Sequence, residues 1–155
     1  MLNLLNRTEI ISNILDRADI FNVNVVDTTL HDGKSVVIKQ DDGFYIGIDM
    51  EQICSVAELR CIIWHELGHI ATNSFYNNAT CTYDKSKAER AAIRWAVTHC
   101  VPFDELCAAI KNGVRNVYEL ADYFAITIDS AQKVLDYYRS RIIDYLRLFY
   151  GEQAV

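Results

Sequence analysis

The chain has 155 residues, 51% of them apolar, which is enough for one domain with a real core. Its formal net charge of −6 and isoelectric point near 5.1 argue against a general nucleic-acid surface, which is ordinarily basic. Charged residues interrupt every apolar run well before the ~18 residues a membrane span needs. The amino-terminal MLNLLNRTE reaches Arg7 and Glu9 before a signal-peptide core can form. The five cysteines (Cys54, Cys61, Cys81, Cys100 and Cys107) are odd in number and lack CxxC spacing. They are expected to be free thiols in a reducing cytoplasm, most of them packed as small apolar side chains.

One proline, no low-complexity tract, no charge block and no repeat leave no linker, so residues 1–155 are expected to form a single domain. Within it, 8–100 should hold a sheet and a metal-binding core, and 101–150 a helical C-terminal part. Thr8 to Phe21 carries Ile10, Ile11, Ile14, Leu15 and Ala18 at helical spacing. Three β-type runs follow, Val23–Leu30, Ser35–Gln40 and Phe44–Met50, separated by His31-Asp32-Gly33-Lys34 and Asp41-Asp42-Gly43. Asp-Gly is a tight-turn signal, so the expectation is a three-stranded antiparallel meander.

Ser55-Val56-Ala57-Glu58 has the form of a capping box and should start a helix running to about Thr72. A polar loop from Asn73 to Tyr83 separates it from a helix at about Ser86–His99. Pro102 fits the first turn of the next helix and Gly113 the position just after its end. Asn116-Val117-Tyr118-Glu119 reads as a capping box for a short helix to Phe124. Asp129-Ser130-Ala131-Gln132 opens the last helix, to about Phe149. A helix, a small sheet and then segregated helices make an α+β domain.

The helix that opens at Ser55 contains Trp64-His65-Glu66-Leu67-Gly68-His69, an HExxH motif. Two histidines four residues apart lie one above the other on a helix face, from which both imidazoles reach one Zn²⁺ at roughly 2.0–2.1 Å. Glu66 points about 100° around the helix, flanking the metal, where a general base for an attacking water belongs. The alternative is a helix with two core or surface histidines.

A catalytic zinc needs three protein ligands and an open position. On the following helix, Lys87, Arg90, Arg94 and Thr98 share the solvated stripe, while Glu89 groups with Ala92, Ile93, Ala96 and Cys100. A carboxylate on an apolar face needs a partner, and a metal on the preceding helix supplies one. The pattern is then HExxH-x19-E. The competing reading makes Ser86 and Glu89 a capping box. Cys61, near the His65 face but two turns from His69, is expected to pack. His99 is expected to be structural, His31 solvated in a turn and Asp84 a helix-start residue. Tyr76 or Tyr83 could supply an oxyanion donor, and the residues do not choose between them.

HELGH, the segment Glu89-Arg90-Ala91-Ala92-Ile93-Arg94-Trp95-Ala96 and then Pro102 resemble the ImmA/IrrE metallo-endopeptidases, particularly the short forms of phages and integrative elements. Asp104-Glu105-Leu106 and Tyr118-Glu119-Leu120-Ala121-Asp122-Tyr123-Phe124 also look familial, and the resemblance spans roughly residues 43–140. Many members carry a second glutamate where this chain has Ala91. The resemblance implies a zincin-like fold, one Zn²⁺ per chain, and limited cleavage of a helix-turn-helix repressor encoded beside the protease.

Two functional readings follow. In the first the chain is a zinc endopeptidase, with His65, His69 and Glu89 as ligands and Glu66 as base. An edge strand, expected to be Phe44–Met50, would hold an extended substrate by strand addition. In the second it is a non-catalytic antirepressor or regulatory binding protein acting through C-terminal helices that resemble a helix-turn-helix. Lys133, Arg139, Arg141 and Arg147 on the last helix are interrupted by Asp129, Asp136 and Asp144, so direct nucleic-acid binding is not expected.

Overall fold

A computed structural model describes residues 4–76 and 81–150. The elements in chain order are α1 (Leu4–Ala18), β1 (Val23–Asp27), β2 (Ser35–Gln40), β3 (Gly43–Ile48), a single 3₁₀ turn (Met50–Gln52), α2 (Val56–Thr72), α3 (Thr82–Cys100), α4 (Phe103–Lys111), α5 (Val117–Phe124) and α6 (Ile128–Tyr150). The architecture is α+β, as the pattern predicts. Residues 77–80, in the middle of the expected Asn73–Tyr83 loop, lie outside the described residues, as do 1–3 and 151–155.

The helix α1 buries Ile10, Ile14 and Ala18, one per turn, against the sheet and α2. It stops short of the expected Phe21 because Asp19 turns left-handed at φ 51°. The sheet corrects the expected antiparallel meander. Strand order is β1-β3-β2, with β2 antiparallel and β1 parallel to β3. Asp41-Asp42 makes a true hairpin, since Gln40 pairs with Gly43 across it. The seven residues Thr28–Lys34 exceed the 2–5 of an ordinary hairpin loop, and they carry the chain to the far side of β3. Asp49 accepts from Leu30 N (3.1 Å) and Gln52 Nε2 (2.8 Å), tying that crossing down. The most apolar strand takes the centre, where Ile46 and Ile48 are fully buried. The strand at Phe44, expected at the edge, is therefore central. The edge beside α2 is β2.

Ser55 caps α2 by accepting from Glu58 N (3.1 Å), while Glu58 Oε2 accepts from Cys54 N (2.8 Å), one residue outside the expected box. α3 begins at Thr82, a turn earlier than predicted, so Ser86 lies inside it and donates to the Thr82 carbonyl (2.9 Å). Pro102 takes the N-cap of α4, and Gly113, at φ 102°, follows its end. Asn116 Oδ1 caps α5 by accepting from Tyr118 N and Glu119 N, each at 3.0 Å. Thr127, not Asp129, caps α6, its Oγ1 accepting from Ser130 N (3.2 Å).

Two cores result. The first joins α1, the sheet and α2 through Ile14, Ile46, Leu59, Ile63 and Leu67. The second joins α3 to α6 through Val97, Leu106, Leu120, Val134 and Tyr138. The α3 helix serves both: Trp95 and Ala96 pack on the first core, Ile93 and Val97 on the second.

Candidate metal centre

His65 and His69 stand edge to face on α2, ring centroids 4.7 Å apart, with their Nε2 atoms 3.2 Å from each other. Glu89, from α3, places Oε2 3.3 Å from His65 Nε2 and Oε1 3.3 Å from His69 Nε2. Ligands at roughly 2.0–2.1 Å from a tetrahedral zinc are about 3.3–3.4 Å from one another. The spacing between the two histidines is close to that edge length, and each histidine is as close to one oxygen of the Glu89 carboxylate. Burial, the largest cause, holds the His65 imidazole below its ordinary value, which favours the neutral ring with a lone pair at Nε2. The two Nε2 atoms and the Glu89 carboxylate lie together as one donor set. The residues present fit a divalent cation.

Local geometry explains the convergence. A Cβ on Gly68 would lie 2.4 Å from the Ala92 carbonyl oxygen, so only glycine permits α2 and α3 to approach this closely. Ala92 lies one turn beyond Glu89, and the approach carries Glu89 up to the two histidines. Glu89 sits beyond the second turn of α3, too far from Cys81 at the N-cap to serve the helix start. Asn73, left-handed at φ 49°, ends α2 and turns Ser74 back. His69 Nδ1–H donates to the Ser74 carbonyl (2.9 Å), with Ser74 Oγ also near (3.1 Å). That bond fixes the tautomer that leaves Nε2 free for a cation.

Glu66 is 8% exposed and lines the same cleft as His65 and His69. Ser35 Oγ, at the start of β2, donates to its Oε1 (2.6 Å). The same end of β2 is tied to α2 by Lys34 Nζ, 2.5 Å from Glu58 Oε1. Ser35, Val36 and Val37 form one wall of a cleft of about 220 Å³ whose other walls include Glu66, His69, Phe75 and Tyr76. Tyr76 donates to Glu89 Oε1 (2.5 Å), a bond that raises its phenol to about 12 and keeps the hydroxyl a donor. Tyr83 is 71% exposed in the first turn of α3 and does not line the cleft. The structure therefore brings Tyr76, and not Tyr83, to the centre.

The remaining candidates lie elsewhere. Cys61 Sγ accepts from Thr127 N (3.4 Å), joining α2 to the turn before α6. His99 stacks on Trp95 (3.9 Å) and donates from Nδ1 to the Trp95 carbonyl (2.8 Å). His31 is exposed, and Asp84 accepts from Cys81 Sγ (3.1 Å) in the first turn of α3. Sequence reasoning missed Ser35 and Ser74. Neither carries a local signal, because each acts only through a tertiary contact.

The family model described as the IrrE N-terminal-like domain matches residues 20–136. No curated protein matches, and no solved structure does.

Proposed function

The chain belongs to the IrrE N-terminal-like family of metallopeptidases, and from that premise we propose that it is a zinc-dependent endopeptidase making a limited cut in a partner protein. The observation that carries this reading is the cluster of His65 Nε2, His69 Nε2 and the Glu89 carboxylate, with closest approaches of 3.2–3.3 Å, beside the buried carboxylate of Glu66. His65, His69 and Glu89 would hold the ion. When bound, zinc supplies Lewis acidity, polarising a carbonyl and lowering the pKa of water toward ~7.

The chain's own groups do the rest. Ser35 Oγ holds Glu66 Oε1, leaving the other carboxylate oxygen to take the proton of the attacking water and pass it to the leaving amine. Tyr76 O–H, on exchanging Glu89 Oε1 for the substrate, offers a hydrogen bond to the carbonyl oxygen as charge gathers there. The free edge of β2 pairs with an extended segment of substrate, setting its backbone along the cleft. A cleft that reads extended backbone selects a linker and not a folded core, which fits a limited cut. The resemblance to short phage and mobile-element forms points to a helix-turn-helix repressor as the partner, in the cytoplasm. Among the described residues no helix is long and apolar enough to cross a membrane. Lys133 is held by Asp129 at 2.7 Å, which weakens any cationic face on α6 for nucleic acid.

Glu66→Gln separates catalysis from binding. It keeps the side chain's size and should leave zinc stoichiometric. Cleavage of the repressor encoded beside the gene should fall at least ~10²-fold. Inactivation of that repressor at the wild-type rate without cleavage products would make the chain a binding protein.

A further inference from the structure

The metal cleft does not end at His65. A second cavity of about 310 Å³ opens on the other side of that imidazole, and Ser35 and His65 belong to the walls of both. It continues the two helix stripes that carry the ligands. On α2 the stripe runs back from His65 to Cys61 and Ile62, and on α3 forward from Glu89 to Ile93, Ala96 and Cys100. Val134 and the aliphatic stem of Lys133, both on α6, close the far side, with Asp129 paired to Lys133 at the rim. The walls are mostly apolar, with Glu58, Thr127, Asp129, Ser130 and Lys133 as the polar residues among them beside Ser35 and His65. Burial pushes the Cys100 thiol at the floor up to about 12, the mark of a low-polarity environment.

We infer that this groove is a specificity pocket that takes one large apolar side chain of the peptide being cut, leucine-sized or aromatic. The inference rests on the peptidase reading and names the substrate feature it selects. Continuity with the cleft is the first reason: Ser35, at the start of β2, and His65 line both, so a peptide lying along β2 past His65 would reach the groove. Size is the second. One turn of helix, ~10–12 Å across and 5.4 Å long, displaces on the order of 500 Å³. The groove is too small for that and large enough for a side chain. Chemistry is the third: Ile62, Ile93 and Val134 offer nothing to a charged or amide group, and the polar residues of the lining are already engaged, Lys133 with Asp129, Glu58 with Lys34 and Ser130 with Thr127.

The test uses blocked pentapeptides identical except for a central Gly, Ala, Leu or Phe. Each is titrated into the metal-free protein while the methyl resonances of Ile62, Ile93 and Val134 are followed. The Leu and Phe peptides should shift those methyls and bind at least about tenfold tighter than the Gly peptide. Ile93→Trp should erase the preference while the protein still takes up stoichiometric zinc. Ile93→Ala, which enlarges the groove, should move the preference from Leu toward Phe. Equal binding of all four peptides, or shifts confined to other methyls, overturns the inference. The zinc-loaded protein keeps the two readings apart. Selective binding with no cleavage of any peptide upholds the groove and removes the peptidase. Equal cleavage of all four with no methyl shift removes the groove and leaves the peptidase standing.

Discussion

Replacing Gly68 by alanine tests whether helix spacing, and not only ligand identity, makes the metal site. The new Cβ would sit 2.4 Å from the Ala92 carbonyl oxygen, where ordinary contact begins near 3.4 Å, so α2 and α3 must part by about 1 Å. Overpacking of this kind costs roughly 1–3 kcal/mol. Alanine's better helix propensity returns about 0.8–1.0 kcal/mol. The metal-free protein should therefore lose about 0–2 kcal/mol in denaturant unfolding. Zinc affinity should suffer more, because ligand distances tolerate only about ±0.2 Å and Glu89 moves with α3. We expect a loss of roughly 10–100-fold, the range seen when the support of a ligand is disturbed, measured by competition with a chromophoric chelator. Gly113→Ala is the control: its φ of 102° strains the backbone, yet no atom lies within 4 Å of the added Cβ. It should cost stability and leave zinc affinity alone. A Gly68→Ala protein that binds zinc like wild type would refute the argument that this glycine sets the site.

Glu89→Ala should sharply lower zinc content, measured by elemental analysis, with helicity by circular dichroism largely kept; full stoichiometric metal in the variant would remove Glu89 from the ligand set. Ser35→Ala should keep zinc and substrate affinity while lowering turnover about tenfold, since Glu66 loses the hydroxyl that orients it. Ser35→Thr, which restores a hydroxyl, should recover most of that rate, and equal activity of the alanine and threonine variants would show that the bond does nothing for catalysis.

The parts of the site legible in the sequence are those fixed by helix geometry alone. His65 and His69 are neighbours because any helix makes them so. Glu89 betrayed itself as a carboxylate on an otherwise apolar stripe. Choosing between Tyr76 and Tyr83 required knowing where α3 begins, and its start at Thr82 puts Tyr83 on the helix exterior and leaves Tyr76 in the segment facing the ligands. Strand order was hidden for a different reason. Alternation tells which face of a strand is buried but not which strand it pairs with, and Asp32-Gly33 imitates a hairpin inside a longer crossing. Ser35 and Ser74 were silent because a hydroxyl at a strand start or after a helix is ordinary until something folds against it.

The open edge of β2 also poses a solubility problem. Ser35-Val36-Val37-Ile38 is an uncharged, β-prone tetrad whose Val36 and Ile38 are 37% and 49% exposed, and among the described residues no strand lies beside its outer backbone groups. Such a segment is a template for self-association as readily as for a substrate. Lysines stand at both ends, Lys34 and Lys39, where two molecules meeting edge to edge would set like charges against each other. Lys34 is already committed to Glu58, which leaves Lys39, over the Phe44 ring at 5.8 Å, as the more exposed guard. On the proposed reading, selection on this strand therefore pulls two ways: an edge blunted with more charge would keep the protein dispersed, and would also turn away a peptide that pairs with it.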